Sequence, residues 1–373
     1  MPFYLPTLPW ENAYGELAQA LRSLDDHSAA MFESDSEALL SWLREYVSDA
    51  ASIAQLQRIP SHEVSTYRYP SHTLQGVPGR KWQQITAFAD CIEKAPGPIL
   101  EWCAGKAHLG RLLAHRYDVA VTALEWDESL CQAGNQISAQ QRLDVKLAHC
   151  DVLSPSADDF VADTDHTVAL HACGDLHRRL IELVVNNQVR HLQLSPCCFH
   201  LTKDELYLPF SSAGKHCELH LTSSDCRLAV QETVTASARE TRTRDRKNAW
   251  RLGFDQLQRE LRARDEYLPV PPLADSVLQT NFKAFCQQAA ALKQLALPDA
   301  IDWARYEANG WQRLAEVRRM ELPRHAFRRV LELWLVLDRA LYLQEAGYEV
   351  KVSRFCEREV TPRNLMISAS FSG

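Results

Sequence analysis

Residues 98–108 read Pro98-Ile99-Leu100-Glu101-Trp102-Cys103-Ala104-Gly105-Lys106-Ala107-His108. An apolar run carrying one acid leads into a turn of small residues, and helical spacing follows through Tyr117. This is the pattern of a buried strand that turns sharply into a helix. The same alternation repeats downstream. Val119–Glu125 reads as a second strand, followed by a helix at 128–141. Asp144–Asp151 is a third strand and His166–His171 a fourth, with a helix at 175–185. Val189–Ser195 is the fifth. Strands alternating with helices predict an α/β fold, a doubly wound and mostly parallel Rossmann-like sheet.

The flanks have other patterns. Residues 11–59 show helical spacing through Leu17, Leu21, Leu24, Leu39, Leu40, Leu43 and Val47. Ser61–Gly79 is rich in Ser, Pro, Tyr and Gly and reads as a loop, with a helical stretch after it to about Lys94. Residues 225–346 are mainly helical, interrupted at Pro269–Pro272. The chain then returns to strand character at 348–355 and 362–370, which predicts a hairpin that completes the sheet. The expected organisation is an N-terminal helical region (1–95), a core (96–225), a helical insertion (226–346) and a C-terminal β-hairpin (347–373).

The chain has 373 residues, 46% hydrophobic and 24% charged, enough to bury a sizeable core and inconsistent with wholesale disorder. The first ten residues lack the charged and apolar regions of a signal peptide. The longest apolar stretch, Val330–Leu343, contains Glu332, Asp338 and Arg339 and is too short to span a bilayer. The 11 cysteines are therefore expected as free thiols in a reducing, cytoplasmic setting. The net charge of −7 is unevenly spread: residues 1–225 carry 17 basic and 29 acidic side chains, and residues 226–350 carry 20 and 17.

In doubly wound sheets the ligand crevice lies at the carboxyl ends of the strands. Glu101-x-x-Ala104-Gly105-Lys106 keeps only one glycine of a dinucleotide fingerprint, with Cys103 and Ala107 where glycines would stand. Acidic residues end the first three strands. Glu101 can pair with an ammonium, Glu125 can accept two ribose hydroxyl protons, and Asp151 can bond an adenine amino group. That set describes S-adenosylmethionine better than a nucleotide phosphate.

The fourth strand runs into His171-Ala-Cys173-Gly174-Asp175-Leu-His177, and the fifth into Ser195-Pro-Cys197-Cys198-Phe199-His200. Four uses compete for these groups. His171, Asp175 or His200 can take a proton from an acceptor. Cys197 or Cys198 can act as a thiolate nucleophile, as in pyrimidine C5 methylation. Cys173, Cys197, Cys198 and His200, with Cys217 or Cys226, can bind zinc or an iron–sulfur cluster. The cysteines can also be small buried hydrophobes. Adjacent cysteines chelate one ion poorly and the chain has no C-x-x-C pair, so no metal is assigned.

Taken together, the turn Glu-x-x-Ala-Gly-Lys-x-x-Leu, the Cys-Gly-Asp-Leu after strand four and the Cys-Cys-Phe-His after strand five resemble one branch of the class I S-adenosylmethionine-dependent methyltransferases. That branch pairs a Gly-Ala-Gly-Lys-Gly turn with Cys-Gly-Asp/Ala-x-Leu and Cys-Cys-Tyr/His-His. It includes the eukaryotic tRNA 2′-O-methyltransferases that act near the acceptor stem. Thr361-Pro-Arg-Asn-Leu is similar to its closing segment. The resemblance covers about 98–225 and 346–373. It implies cofactor contacts from Glu101, Ala104, Gly105, Lys106, Glu125, Asp151, His171 and Gly174. It implies active-site lining from His171, Cys173, Asp175, Cys197, Cys198 and His200. Arg80-Lys81-Trp82 resembles a basic segment that precedes the domain in such proteins and can hold the cofactor carboxylate or a substrate phosphate.

An RNA acceptor is expected from the basic stretches 239–251 and 313–329, where arginines can bond phosphates and Trp311 and Phe327 can stack on unpaired bases. The same helices also read as solvated amphipathic surfaces. A protein or small-molecule acceptor, or a binding module without catalysis, is the alternative.

Overall fold

The computed structural model describes residues 2–5, 7–48, 50–62, 67–69, 77–92, 97–231, 238–274 and 276–372. Most of the loop expected at 61–79, and the end of the helix expected to reach Lys94, lie outside these residues. Seven strands form one sheet: β1 Ile99–Trp102, β2 Val121–Glu125, β3 Val145–His149, β4 His166–Cys173, β5 His191–Cys197, β6 Tyr348–Arg354 and β7 Leu365–Phe371. Their order is β3-β2-β1-β4-β5-β7-β6. Strands β1 to β5 are parallel, and β7 runs antiparallel between β5 and β6. The expected hairpin does complete the sheet. The chain reverses direction across the sheet between β1 and β4, so a ligand crevice opens at their carboxyl ends.

Successive strand residues face opposite sides, and both sides are apolar. Leu100, Ala169 and Leu194 pack with Leu180, Ile181 and Val184 of the helix Asp175–Asn186, and with Leu335, Val336 and Leu343. Ile99, Val168 and Met366 pack on the other face with Phe88, Leu109, Leu112 and Leu113. Each such Leu or Ile contributes roughly 1.5–3 kcal/mol of burial.

The N-terminal stretch is four short helices, Gly15–Ser23, Asp26–Ser34, Ser36–Leu43 and Ala50–Leu56. The apolar spacing runs across their boundaries, but aspartates cut it. Asp25 accepts from Ser28 N–H, and Asp35 from Glu37 and Ala38 N–H, each capping a new helix.

Contacts divide the chain into two compact units, Met1–Ala54 with Ala236–Phe327, and Gln55–Thr235 with Arg328–Gly373. The first 54 residues thus group with the insertion, where sequence pattern alone set the first boundary at 95. Arginines tie this first unit together. Arg318 pairs with Glu33 at 2.5 Å, Arg319 pairs with Asp26 at 2.6 Å, and Arg313 donates to the carbonyls of Pro2 and Leu5. Its core gathers Trp250, Phe254, Phe282, Phe285 and Tyr306. The helix Trp303–Glu345, 43 residues long with Pro323 inside it, contributes to both units. Among the described residues, no helix is long and apolar enough to cross a membrane.

Candidate functional site

The turn after β1 has left-handed backbone at Cys103 (φ 56°), Gly105 (φ 59°) and Ala107 (φ 51°). At the two non-glycine positions this costs on the order of 1–2 kcal/mol each. Open space surrounds the position a Gly105 Cβ would take. Ala107 precedes the helix His108–Tyr117 and offers no capping side chain. Glu101 supplies the missing cap from β1: its Oε2 accepts Gly110 N–H at 2.8 Å. A Cβ on Gly110 would stand 2.5 Å from that oxygen and 2.9 Å from Val121 Cγ1, so a larger residue there would push the cap aside. Burial pushes the Glu101 carboxyl up to about 8, against the pull of Gly110 N–H, Arg111 and Lys81.

A cavity of about 350 Å³ opens beside this turn. Among the described residues, its lining includes Cys103, Glu125, Trp126, Asp151 and Leu176, and no Lys, Arg or His. Glu125 is fixed from behind: Oε2 accepts Gly105 N–H at 2.7 Å and Oε1 accepts Asp127 N–H at 3.0 Å. Each oxygen keeps a lone pair for a ligand. Asp151 Oδ1 accepts Leu153 N–H at 3.0 Å. Trp126 is 66% exposed, a flat apolar surface at the cavity wall. Burial pushes the Cys103 thiol up to about 12, so it stays neutral. Two carboxylates, an exposed indole and no cation fit a cationic nucleoside and would repel a phosphate. The chemistry of S-adenosylmethionine fits this donor set.

The remaining expected residues gather at the ends of β4 and β5. The register of β4 against β5 shifts at His171, whose backbone is left-handed (φ 63°). A bulge there re-aims the side chain. Gln84 Nε2 donates to Val360 C=O at 3.0 Å, which turns its Oε1 toward His171 Nε2 at 3.2 Å. His171 Nε2 therefore carries the proton. Nδ1 is left as a buried lone pair without a partner. Burial, with the Arg363 charge, lowers the His171 pKa to about 4.

The Sγ atoms of Cys173, Cys197 and Cys198 lie within 4.8 Å of one another. Cys173 and Cys197 are register partners with sulfurs 3.4 Å apart. The Cys198 thiol is pulled well down, chiefly because the Cys173 and Cys197 thiols donate to it. A Cβ on Gly174 would meet Leu201 C=O at 1.9 Å, and its φ is +51°. Asp175 Oδ2 accepts Lys203 N–H at 2.9 Å, so this carboxylate holds the loop that carries His200. His200 Nδ1 is buried without a partner.

Behind the bulge lies a buried polar network. His177 Nδ1 donates to Ala172 C=O at 3.0 Å, and its Nε2 accepts from Arg339 Nε at 2.8 Å. Arg339 also donates to Tyr207 Oη, and Tyr207 donates to Asp338 at 2.5 Å. Asp338 further accepts from Phe210 N–H, Ser211 N–H and Ser211 Oγ. The charges of Val330–Leu343 are thus used inside the protein. Glu332 pairs with Arg329 in the same way.

The expected cofactor residues fall into two groups. Glu125 and Asp151 line the cavity, with Gly105 bonded to Glu125. Glu101 sits beneath the turn as a helix cap. Ala104 bonds Leu124 C=O at 2.9 Å, and the Lys106 carbonyl accepts from Arg111. His171, Gly174, Asp175, Cys197, Cys198 and His200 lie outside the cavity lining and assemble at the neighbouring strand ends.

Sequence reading passed over Trp126, Gln84 and Arg363 as site residues. Arg363 bears electrostatically on His171, Cys198 and His200. Its place in Thr361-Pro-Arg-Asn was the signal that could have found it. Trp126, an aromatic residue directly after the β2 acid, was another. Of the two basic stretches, Arg313, Arg318 and Arg319 spend their guanidinium groups on internal partners, Arg246 donates to Leu278 C=O and Arg244 pairs with Asp245, whereas Arg239 and Arg242 are exposed on the helix Ala238–Arg262.

Residues 80–205 match a family model described as a methyltransferase domain. A curated relative is a glutathione S-transferase C-terminal domain-containing protein homolog from Drosophila pseudoobscura pseudoobscura, 28% identical over 144 residues. That match covers 38% of this chain and 23% of the relative. Solved structures similar to the chain include an O-methyltransferase family protein from Burkholderia thailandensis (9% identity, 91% of this chain and 72% of that one, TM-score 0.32). Another is a human methyltransferase 10 domain containing protein (15% identity, 43% of this chain and 78% of that one, TM-score 0.25).

Proposed function

We propose that the unit built on the seven-stranded sheet is a methyltransferase that binds S-adenosylmethionine in the cavity at the ends of β1, β2 and β3 and methylates an acceptor held at the ends of β4 and β5. The observation that carries this reading is the cavity itself, with its carboxylates at the ends of β2 and β3, its exposed Trp126 and its lack of any cation. When bound, the cofactor supplies a methyl group activated on a sulfonium.

The chain's own residues do the rest. Glu125, oriented in advance by Gly105 and Asp127 N–H, accepts the ribose hydroxyls. Trp126 offers a face to the adenine, and Asp151 an acceptor to its amino group. The buried lone pair on His171 Nδ1 accepts a hydrogen bond from the acceptor hydroxyl or amine and orients it for in-line attack. A pKa of about 4 makes His171 an orienting group more than a strong base, so most of the rate gain comes from positioning.

For the acceptor we propose RNA, supported by the exposed arginines of the helix Ala238–Arg262. Calorimetry with S-adenosylmethionine tests the cofactor half: binding is expected in the wild type and lost in Glu125→Ala, and no binding by the wild type refutes it. Nucleoside mass spectrometry of RNA from a deletion strain, with labelled methyl transfer to purified RNA, tests the acceptor half. If every methylated nucleoside is unchanged and label passes only to protein or small molecules, RNA is wrong while the methyltransferase stands.

A further inference from the structure

The three thiols at the ends of β4 and β5 have no task in cofactor binding. We propose that Cys173, Cys197 and Cys198 hold a zinc ion, its fourth position left to water.

The first support is spacing. A tetrahedral zinc with Zn–S bonds of about 2.3 Å holds its thiolates about 3.8 Å apart. Here the Cys173 and Cys197 sulfurs are 3.4 Å apart, and all three lie within 4.8 Å of one another. An iron–sulfur cluster spreads its thiolates over several irons, so this tight triangle suits a single ion. Soft thiolates favour zinc among the common divalent metals.

The second support is backbone conformation. Successive side chains of a strand point to opposite faces, so vicinal cysteines ordinarily cannot share an ion. That expectation led the sequence reading to assign no metal. Cys198 escapes it because its backbone is left-handed, with φ 48°. The turn re-aims its sulfur to the side of Cys197. A left-handed cysteine costs on the order of 1–2 kcal/mol, which thiols serving only as apolar filling would not require.

The third is the lock on this turn. Leu201 N–H on Cys198 C=O at 2.8 Å closes it. Gly174 N–H on Cys197 C=O at 3.0 Å and Asp175 N–H on Leu201 C=O at 3.0 Å lock this turn against β4. Zinc binding would displace the thiol protons to solvent, so its affinity should rise with pH.

The test is metal analysis of the full chain, purified without chelator from zinc-supplemented cells. One zinc per chain is expected in the wild type and in Cys217→Ser, whose thiol is exposed and outside the cluster. Cys198→Ser should lose it. Cobalt substitution should give thiolate-to-cobalt charge-transfer bands that Cys198→Ser lacks and Cys217→Ser keeps. Should Cys198→Ser fail to fold, the wild type alone decides. Stoichiometric zinc must slow the reaction of these thiols with a thiol reagent, and a chelator must restore it. Zinc-free wild type with no cobalt bands and no protection overturns the proposal, as does a Cys173–Cys197 disulfide in freshly reduced and dialysed protein supplied with zinc.

Discussion

Replacing Glu101 with Gln isolates one buried carboxyl. Glutamine keeps a carbonyl oxygen for Gly110 N–H but cannot ionise. In the wild type, burial raises the Glu101 carboxyl from 4.5 to about 8. The folded protein therefore binds a proton that the unfolded chain gives up above about pH 4.5. Stability from this group is fully present below pH 4.5, falls as pH rises, and levels off above pH 8. At 1.36 kcal/mol per pK unit, the loss is about 3 kcal/mol by pH 7 and about 5 kcal/mol by pH 9. The amide in the variant adds a fixed cost, so the diagnostic quantity is how the stability difference changes with pH. Urea unfolding of both proteins at pH 5, 7 and 9 should show Glu101→Gln gaining on the wild type by several kcal/mol across that range. A constant difference would mean that Glu101 is ionised in the native protein, and the reasoning would fail.

Other outcomes follow from single geometries. Asp338→Asn puts an amide N–H₂ among four donors and should cost about 3 kcal/mol in denaturant unfolding; a loss under half a kcal/mol would show the network to be dispensable. Ala107→Gly, at φ 51°, should stabilise the protein by about 1 kcal/mol although it starts a helix, and destabilisation would contradict the left-handed assignment. Trp126→Ala should weaken S-adenosylmethionine binding about tenfold with little change in melting temperature. Methyl transfer should show no inflection near pH 6.5 from His171, since burial keeps it neutral; one there would place His171 in solvent.

Much of the sheet was readable because period-two and period-3.6 patterns are local. Leu100 and Ile99 had to face opposite sides, and the helix Glu128–Gln141 stands where its spacing put it. The terminal hairpin was readable for the same reason. The four-helix division of residues 11–59 was hidden because Asp25 and Asp35 sit within a continuous apolar pattern, and only their caps interrupt it. The site was half legible. Acidic residues at strand ends pointed to Glu125 and Asp151, but nothing local distinguishes Glu101, which bends under the turn, from an acid facing a ligand. The aim of His171 depends on a bulge, on Gln84 from the preceding helix and on Val360 far along the chain. The arginines of 313–329 looked like an RNA surface because their partners lie some 300 positions away, at Pro2, Leu5 and Glu33.

The position of β7 has a consequence for how the molecule is made. It is the last strand in sequence, yet it sits inside the sheet, with β5 on one side and β6 on the other. Ser195 of β5 reaches its carbonyl partner at Arg363 across 168 positions. During synthesis β5 therefore waits as an open edge while the whole helical insertion is made, a template that other chains can pair with. Closing so long a loop is slow, and the geometry of the β4 and β5 ends is complete only after it closes. Folding intermediates of this chain should be the species most prone to aggregate, and a chaperone that masks an unpaired strand should raise its yield more than one that acts on the native state.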